Sequence, residues 1–180
     1  GKSTFAANLA LTLAALKSRV LLIDADLRRP RIADEFGIEG AIGLTTVLVG
    51  EVSFADAKLS RPGTTLDILP AGAVPPNPAE LLTSDAMQAL LEEASVDYDY
   101  VVLDAPPISS VADANLMSPL VDGAIVIVDA MKTHRSQLSA ALQSFQAAGG
   151  RVIGLVLNRA RCPRHTDVYY AEWAARNAKQ

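Results

Sequence analysis

Cysteine is almost absent: in a chain of 180 residues, Cys162 stands alone. One thiol cannot close an internal disulfide, so the fold must be held by its core, as suits a reducing compartment. The same count argues against a structural zinc site or a cysteine-held cluster within one chain. Aromatic residues make up only 5%, too few for the stacking platform that single-stranded nucleic acid requires. No apolar stretch reaches the roughly 18 uncharged residues of a membrane-spanning helix. Residues 5–16 resemble the core of a signal peptide, but Lys17-Ser18-Arg19 stands where a small-residue cleavage site belongs, and a buried strand follows. There is no initiator methionine, and Gly1 reads as a cut through a longer chain.

Basic residues are missing over a long interval. Between Arg61 and Lys132 there is no Lys or Arg, against eleven Asp or Glu. The net charge of −4 therefore conceals a split: residues 1–150 carry 10 basic and 18 acidic groups, for −8, and residues 151–180 carry 6 and 2, for +4. This balance argues against a general DNA-binding protein. The acidic stretch is either a solvated face or a surface that receives a basic partner or a neighbouring subunit.

What is present is apolar patterning, with half the residues hydrophobic. Residues 4–16 read as a helix, and Val20-Leu21-Leu22-Ile23 as a strand buried on both faces that ends in Asp24. Pro30 suits the first position of a short helix through Phe36, stopped at Gly37, and residues 44–49 form another, closed by Gly50. Residues 66–69 are a strand broken at Pro70. Asn77 with Pro78 and Glu80 predicts a capped helix start running to about Ala94, with a second cap at Ser84. Strands follow at 100–103, ending in Asp104, at 124–128 and at 152–157. Helices are predicted at 112–120 and 133–148, the latter with Leu138, Leu142, Phe145 and Ala148 on one stripe. Short apolar strands alternating with helices predict an α/β doubly wound, mostly parallel sheet covered on both faces. Ligands bind such sheets beyond the carboxyl ends of the strands, where Asp24, Asp26 and Asp104 fall.

Gly1-Lys2-Ser3-Thr4 is the second half of a phosphate-binding P-loop, G-x-x-x-x-G-K-[ST], opening a helix. The glycine lets backbone amides approach phosphate, the lysine meets the outer phosphates, and the following hydroxyl ligates Mg²⁺. The first half of the loop and its strand are not in this sequence, and losing a strand near the middle of the sheet would weaken ATP binding. In LLIDADLRRP, Asp24 and Asp26 could serve a metal-bound water and a proton transfer, or could cap the turn and pair with Arg28 or Arg29. In YVVLDAPP, Asp104 is placed as a magnesium anchor.

GKST, then LLIDADLRRPR, then YVVLDAPP, in this order, resembles the bacterial tyrosine kinases, cousins of the MinD/ParA-type P-loop ATPases. The D-x-D-x-R arrangement of Asp24, Asp26 and Arg28 marks that family, and GLTTVLVGE and LDILPAGAVPPNPAELL match its linking segments. The resemblance covers residues 1–160, leaving 161–180 as a basic tail. It implies a protein-tyrosine kinase using ATP and Mg²⁺. Lys2 would hold the β- and γ-phosphates, Ser3 the Mg²⁺, and Thr4 the α-phosphate side. Asp24 would lie in the metal shell and Asp26 would be the base for a tyrosine hydroxyl, with Arg28 completing the catalytic set. Asp104 would hold Mg²⁺ through water, and Asn158-Arg159 the nucleotide base. The resemblance further implies capsule and exopolysaccharide export, the inner face of the plasma membrane, a fused or separate membrane co-polymerase segment, and subunit rings that phosphorylate each other's tails. Tyr169 and Tyr170 are then the autophosphorylation sites, or else Tyr169 and Trp173 pack an amphipathic helix; the tail lacks the family's dense tyrosine run. The rival function is a MinD/ParA-type ATPase switch controlling dimerisation and docking on a membrane or partner. Cys162 with His165, and His134, read as loop and surface residues.

Overall fold

The computed structural model describes residues 1–108 and 113–160. The chain runs α1 (Lys2–Ala15), β1 (Val20–Asp24), α2 (Ile32–Phe36), α3 (Leu44–Leu48), α4 (Phe54–Ala57), β2 (Leu59–Ser60) and β3 (Leu66–Leu69). It continues with α5 (Pro78–Leu82), α6 (Asp85–Asp97), β4 (Tyr100–Asp104), α7 (Asp113–Leu116), a 3-10 turn (Ser118–Leu120), β5 (Ala124–Asp129), α8 (Arg135–Ala147) and β6 (Val152–Asn158). The strands form one sheet in the order β2-β3-β1-β4 and a parallel pair β5-β6, and β2, antiparallel to β3, is the exception to parallel pairing.

Central position explains β1. All five of its residues are sealed from solvent, because β3 and β4 flank it and helices cover both faces. Leu21 and Ile23 join Leu44, Phe54, Leu82, Met87 and Leu90 on one face, while Val20 and Leu22 join Ala6, Ala10, Ala14 and Ile32 on the other. The alternation of side chains along a strand divides the core in this way. Burying four aliphatic side chains contributes about 6–12 kcal/mol as an upper bound, enough to carry one buried carboxylate at the strand end.

Several local expectations change. The helix expected at Pro30 begins at Ile32, because its first amides are held by Asp24: Arg31 N and Ile32 N donate to Asp24 Oδ2 at 2.8 and 2.9 Å. Asn77 does not cap α5; its Nδ2 donates to Glu80 Oε2 at 3.0 Å. Ser84 does cap α6, accepting from Met87 N, and so ends α5 and starts α6 where one helix would otherwise run on. On α8, Phe145 is buried, Leu138 and Leu142 are half-buried, and Ala148 is exposed.

The two linking segments pack directly on each other. Leu44 N donates to Pro70 O at 2.7 Å and Thr45 N to Ala71 O at 2.8 Å, and Gly72 takes a left-handed φ of 81° beside them. A Cβ on Gly43 would collide with the Pro70 carbonyl and the Gly72 amide, all backbone atoms that cannot step aside. Gly43→Ala is therefore expected to destabilise the fold by about 2–3 kcal/mol, read as a drop of several degrees in Tm. An unchanged Tm would show that the segments can separate freely.

Candidate functional site

Where the carboxyl ends of β1 and β4 meet the amino end of α1, the chain gathers its charged residues. Lys2 Nζ lies 2.6 Å from Asp104 Oδ1 and 3.5 Å from Asp26 Oδ2. The Asp104 side chain is wholly buried, whereas 30% of the Lys2 side chain stays accessible, so the ammonium can leave without opening the core. Parallel pairing in register sets Asp24 opposite Asp104. Two carboxylates are thus fixed side by side at the end of a buried sheet.

Asp24 is occupied by backbone. Its Oδ1 accepts from Asp26 N at 3.2 Å, and its Oδ2 takes the two amides that open α2. Burial pushes the Asp24 carboxyl above its ordinary range; the amides of Ile32, Arg31 and Asp26 pull it back, and the like charge of Asp104 adds to the rise. Asp26 in turn accepts from Arg29 N at 3.2 Å. Both carboxylates of the D-x-D-x-R segment therefore shape the loop between β1 and α2, and Asp26 also faces Lys2.

Asp104 Oδ2 is buried with no hydrogen-bond partner. An orphaned acceptor of this kind costs about 1–3 kcal/mol, and persists where a ligand supplies the missing donor or cation. Among the described residues no group of three His, Cys, Asp or Glu could form an all-protein metal cage. Mg²⁺ does not need one, since it is commonly bound through one or two carboxylates plus substrate phosphates. Hard carboxylate oxygen, the Ser3 hydroxyl, the Lys2 ammonium and the first amides of α1 fit a magnesium–nucleotide pair.

The structure brings Gly1, Lys2, Asp24, Asp26 and Asp104 together and sets Asn158 against Gly1, where an added Cβ would strike the Asn158 amide. Gly1 thus lies between the carboxyl ends of the two sheets. Arg159 adopts a left-handed φ of 57°, accepting no freedom from glycine, and its guanidinium reaches Asp129 at 3.1 Å. Thr4 Oγ1 donates to Glu35 Oε1 on α2 at 2.9 Å. Ser3 is half-buried and Arg28 exposed. Glu35 and Asp129 were missed in the sequence, since each is tied to its partner across about thirty residues with no spacing to mark it. Tyr169, Tyr170, Trp173, Cys162 and His165 lie outside the described residues.

A second polar cluster sits at the opposite end of the sheet. Lys58 Nζ donates to Tyr98 Oη at 2.8 Å, and Tyr98 Oη to Asp67 Oδ2 at 2.5 Å, beside an open groove also lined by Arg19 and Thr65. Burial raises the Asp67 carboxyl, but bonds from Ser60, Tyr98 and Lys58 outweigh it and hold it below the usual range. These residues lie at the amino ends of β1 and β3, away from the chemistry of Asp104.

The AAA domain family matches residues 1–148. Tyrosine-protein kinase YwqD of Bacillus subtilis (strain 168) is 39% identical over 170 residues, covering 94% of this chain and 72% of the relative. The chain belongs to the bacterial tyrosine-kinase family. The crystal structure of the VpsO kinase domain superposes with a TM-score of 0.82 at 38% identity, covering 87% of this chain and 77% of that one. The MinD cell division protein of Aquifex aeolicus gives 0.71 at 26%, covering 89% and 64%, which places this kinase fold beside the MinD-type P-loop ATPases. ExoP of Rhizobium meliloti, a succinoglycan biosynthesis transport protein, is 38% identical over 162 residues, 88% of this kinase chain but only 21% of ExoP. In ExoP, then, the matched region is a small part of a much longer chain. Among the described residues no helix is long and apolar enough to cross a membrane.

Proposed function

We propose that the chain transfers the γ-phosphoryl group of ATP to tyrosine, in a capsule or exopolysaccharide export system, with Tyr169 and Tyr170 as its own acceptors. The observation that carries this reading is the Lys2 ammonium bridging Asp104 and Asp26 beside the orphaned oxygen of Asp104. Bound Mg²⁺ would neutralise charge on the transferred phosphoryl group. Asp104 and Ser3 would hold that ion with Asp24 in the same shell, and Asp24 also fixes the loop. Lys2 exchanges its carboxylate partners for phosphate oxygens, which frees Asp26 Oδ2 to face the substrate. Asp26 then takes the phenolic proton as the tyrosine oxygen bonds to phosphorus and the bridging oxygen leaves with ADP. Asn158 would border the nucleotide, and Arg159 is held in place by Asp129.

Work at the inner face of the plasma membrane, with a fused or separate co-polymerase segment and trans-phosphorylation between subunits, belongs to the same reading. Its support is that relatives such as ExoP carry the matched region within long transport proteins. The test is labelling of the full chain with γ-labelled ATP and Mg²⁺. Label is expected on tyrosine and lost in Tyr169→Phe/Tyr170→Phe, and Lys2→Ala should lower the rate at least about 100-fold, some 2.7 kcal/mol of transition-state stabilisation. Release of free phosphate alone, with nucleotide-dependent dimerisation indifferent to the tyrosine changes, would instead establish the MinD-type switch.

A further inference from the structure

We propose that Arg29 and Arg31 select the tyrosine segment to be phosphorylated, by pairing with carboxylates two residues from the acceptor tyrosine. The inference rests on the kinase reading and concerns which peptide that kinase accepts. Both arginines are exposed on the loop between β1 and α2. Both are fixed by the site itself: Arg29 N donates to Asp26 Oδ1 at 3.2 Å and to Asp26 O at 3.1 Å, and Arg31 N donates to Asp24 Oδ2 at 2.8 Å. The carboxylates placed at the chemistry thus also set where these two side chains start.

The geometry matches a peptide. A hydrogen-bonded turn from residue 26 to 29 keeps its end Cα atoms within roughly 7 Å. Residues two apart in an extended chain are separated by about the same distance. A tyrosine presented to Asp26 therefore carries a second neighbour past Arg29, with Arg31 two residues further along the same loop, and a guanidinium is suited to grip a carboxylate through two parallel bonds. Arg31 does have a partner, Asp34 at 3.6 Å, but their side chains are 67% and 76% exposed. Such a pair is weak and exchanges readily for another carboxylate.

Charge distribution narrows the class of ligand. Residues 1–150 sum to −8, and four of their ten basic residues (Lys2, Arg28, Arg29 and Arg31) lie in the P-loop half and this one loop. An acidic segment is repelled by most of the domain and drawn to this end of it. The chain's own tyrosines meet the requirement. Asp167 precedes Tyr169 by two residues and Glu172 follows Tyr170 by two, within a tail that is otherwise basic.

The experiment uses the full chain with the synthetic peptide HTDVYYAEWA, residues 165–174, and a second peptide in which Asp167 and Glu172 are replaced by Asn and Gln. Peptide phosphorylation gives KM and kcat, and fluorescence anisotropy without nucleotide gives Kd. The amide peptide is expected to show KM and Kd raised about tenfold with kcat within about twofold, and Arg29→Gln/Arg31→Gln should produce the same shift on the acidic peptide. Arg29→Glu/Arg31→Glu should prefer a peptide with Lys at the two acidic positions, a rescue that a misfolded variant cannot give. Equal KM for acidic and amide peptides, or no change of preference in the charge-reversed variant, overturns the proposal. So does loss of retention on phosphatidylserine vesicles with peptide KM unaltered, which would make the loop a membrane contact. Acid-dependent binding without tyrosine labelling of any peptide would sink the kinase reading and leave the recognition standing.

Discussion

Asp26→Asn is expected to lower tyrosine labelling by about 10²–10⁴-fold while leaving the fold intact. The two halves of that statement come from different atoms. Asp26 Oδ1 accepts from Arg29 N, and an asparagine carbonyl oxygen can take the same bond, so the loop between β1 and α2 keeps its turn. Oδ2 faces Lys2 at 3.5 Å, but Lys2 retains the shorter contact to Asp104 at 2.6 Å. The weaker ion pair to Lys2 is lost, and Tm should move by no more than the few degrees that about 1 kcal/mol represents. What asparagine cannot do is take a proton from the tyrosine hydroxyl. Initial rates with γ-labelled ATP, alongside nucleotide affinity, separate the effects: the rate should collapse while nucleotide binding stays within a few-fold. Labelling within tenfold of the parent would remove Asp26 from the role of base and pass it to a group not yet named.

That both halves rest on a single side chain shows where the sequence was readable. An apolar run ending in Asp24, a second ending in Asp104, and GKST opening a helix are signals carried within a few residues. Each landed where expected, and most sharply in β1, since a strand sealed on both faces admits little but aliphatic residues until its carboxyl end. The less readable features are long-range or very short. Asp24 caps a helix beginning eight residues later, whereas a cap read from sequence is sought within one turn, and so Pro30 took the start of α2 by its local preference. The four residues of α4 and the two of β2 are too short to show any period. Glu35 and Asp129 became visible only once α2 and β5 were folded against α1 and β6. The alternative offered for Asp24 and Asp26 proved not to be exclusive: both accept from backbone amides of the turn, and Asp26 faces Lys2 as well.

Asp104→Asn is expected to separate stability from activity. In the parent, Asp104 Oδ2 is buried without a partner, and its negative charge stands beside Asp24, whose carboxyl is pushed up first by burial and further by that charge. A carboxyl raised in the folded state contributes stability that is fully present below its unfolded pKa, about 3.9, and lost as pH rises through the folded value. Removing the Asp104 charge lowers the folded value of Asp24, so the loss ends at lower pH and less stability is forfeited at neutrality. The fall in Tm between acid and neutral pH should therefore be smaller in the variant than in the parent, while the ion pair of Lys2 passes to Asp26. Activity should move the other way. Without the carboxylate that fits Mg²⁺, tyrosine labelling should fall at least about 100-fold, equivalent to some 2.7 kcal/mol. A group retained at the expense of stability and required for turnover is a functional one. A variant that melts lower at every pH and loses rate only in proportion to its unfolded fraction would make Asp104 a structural partner of Lys2 and nothing more.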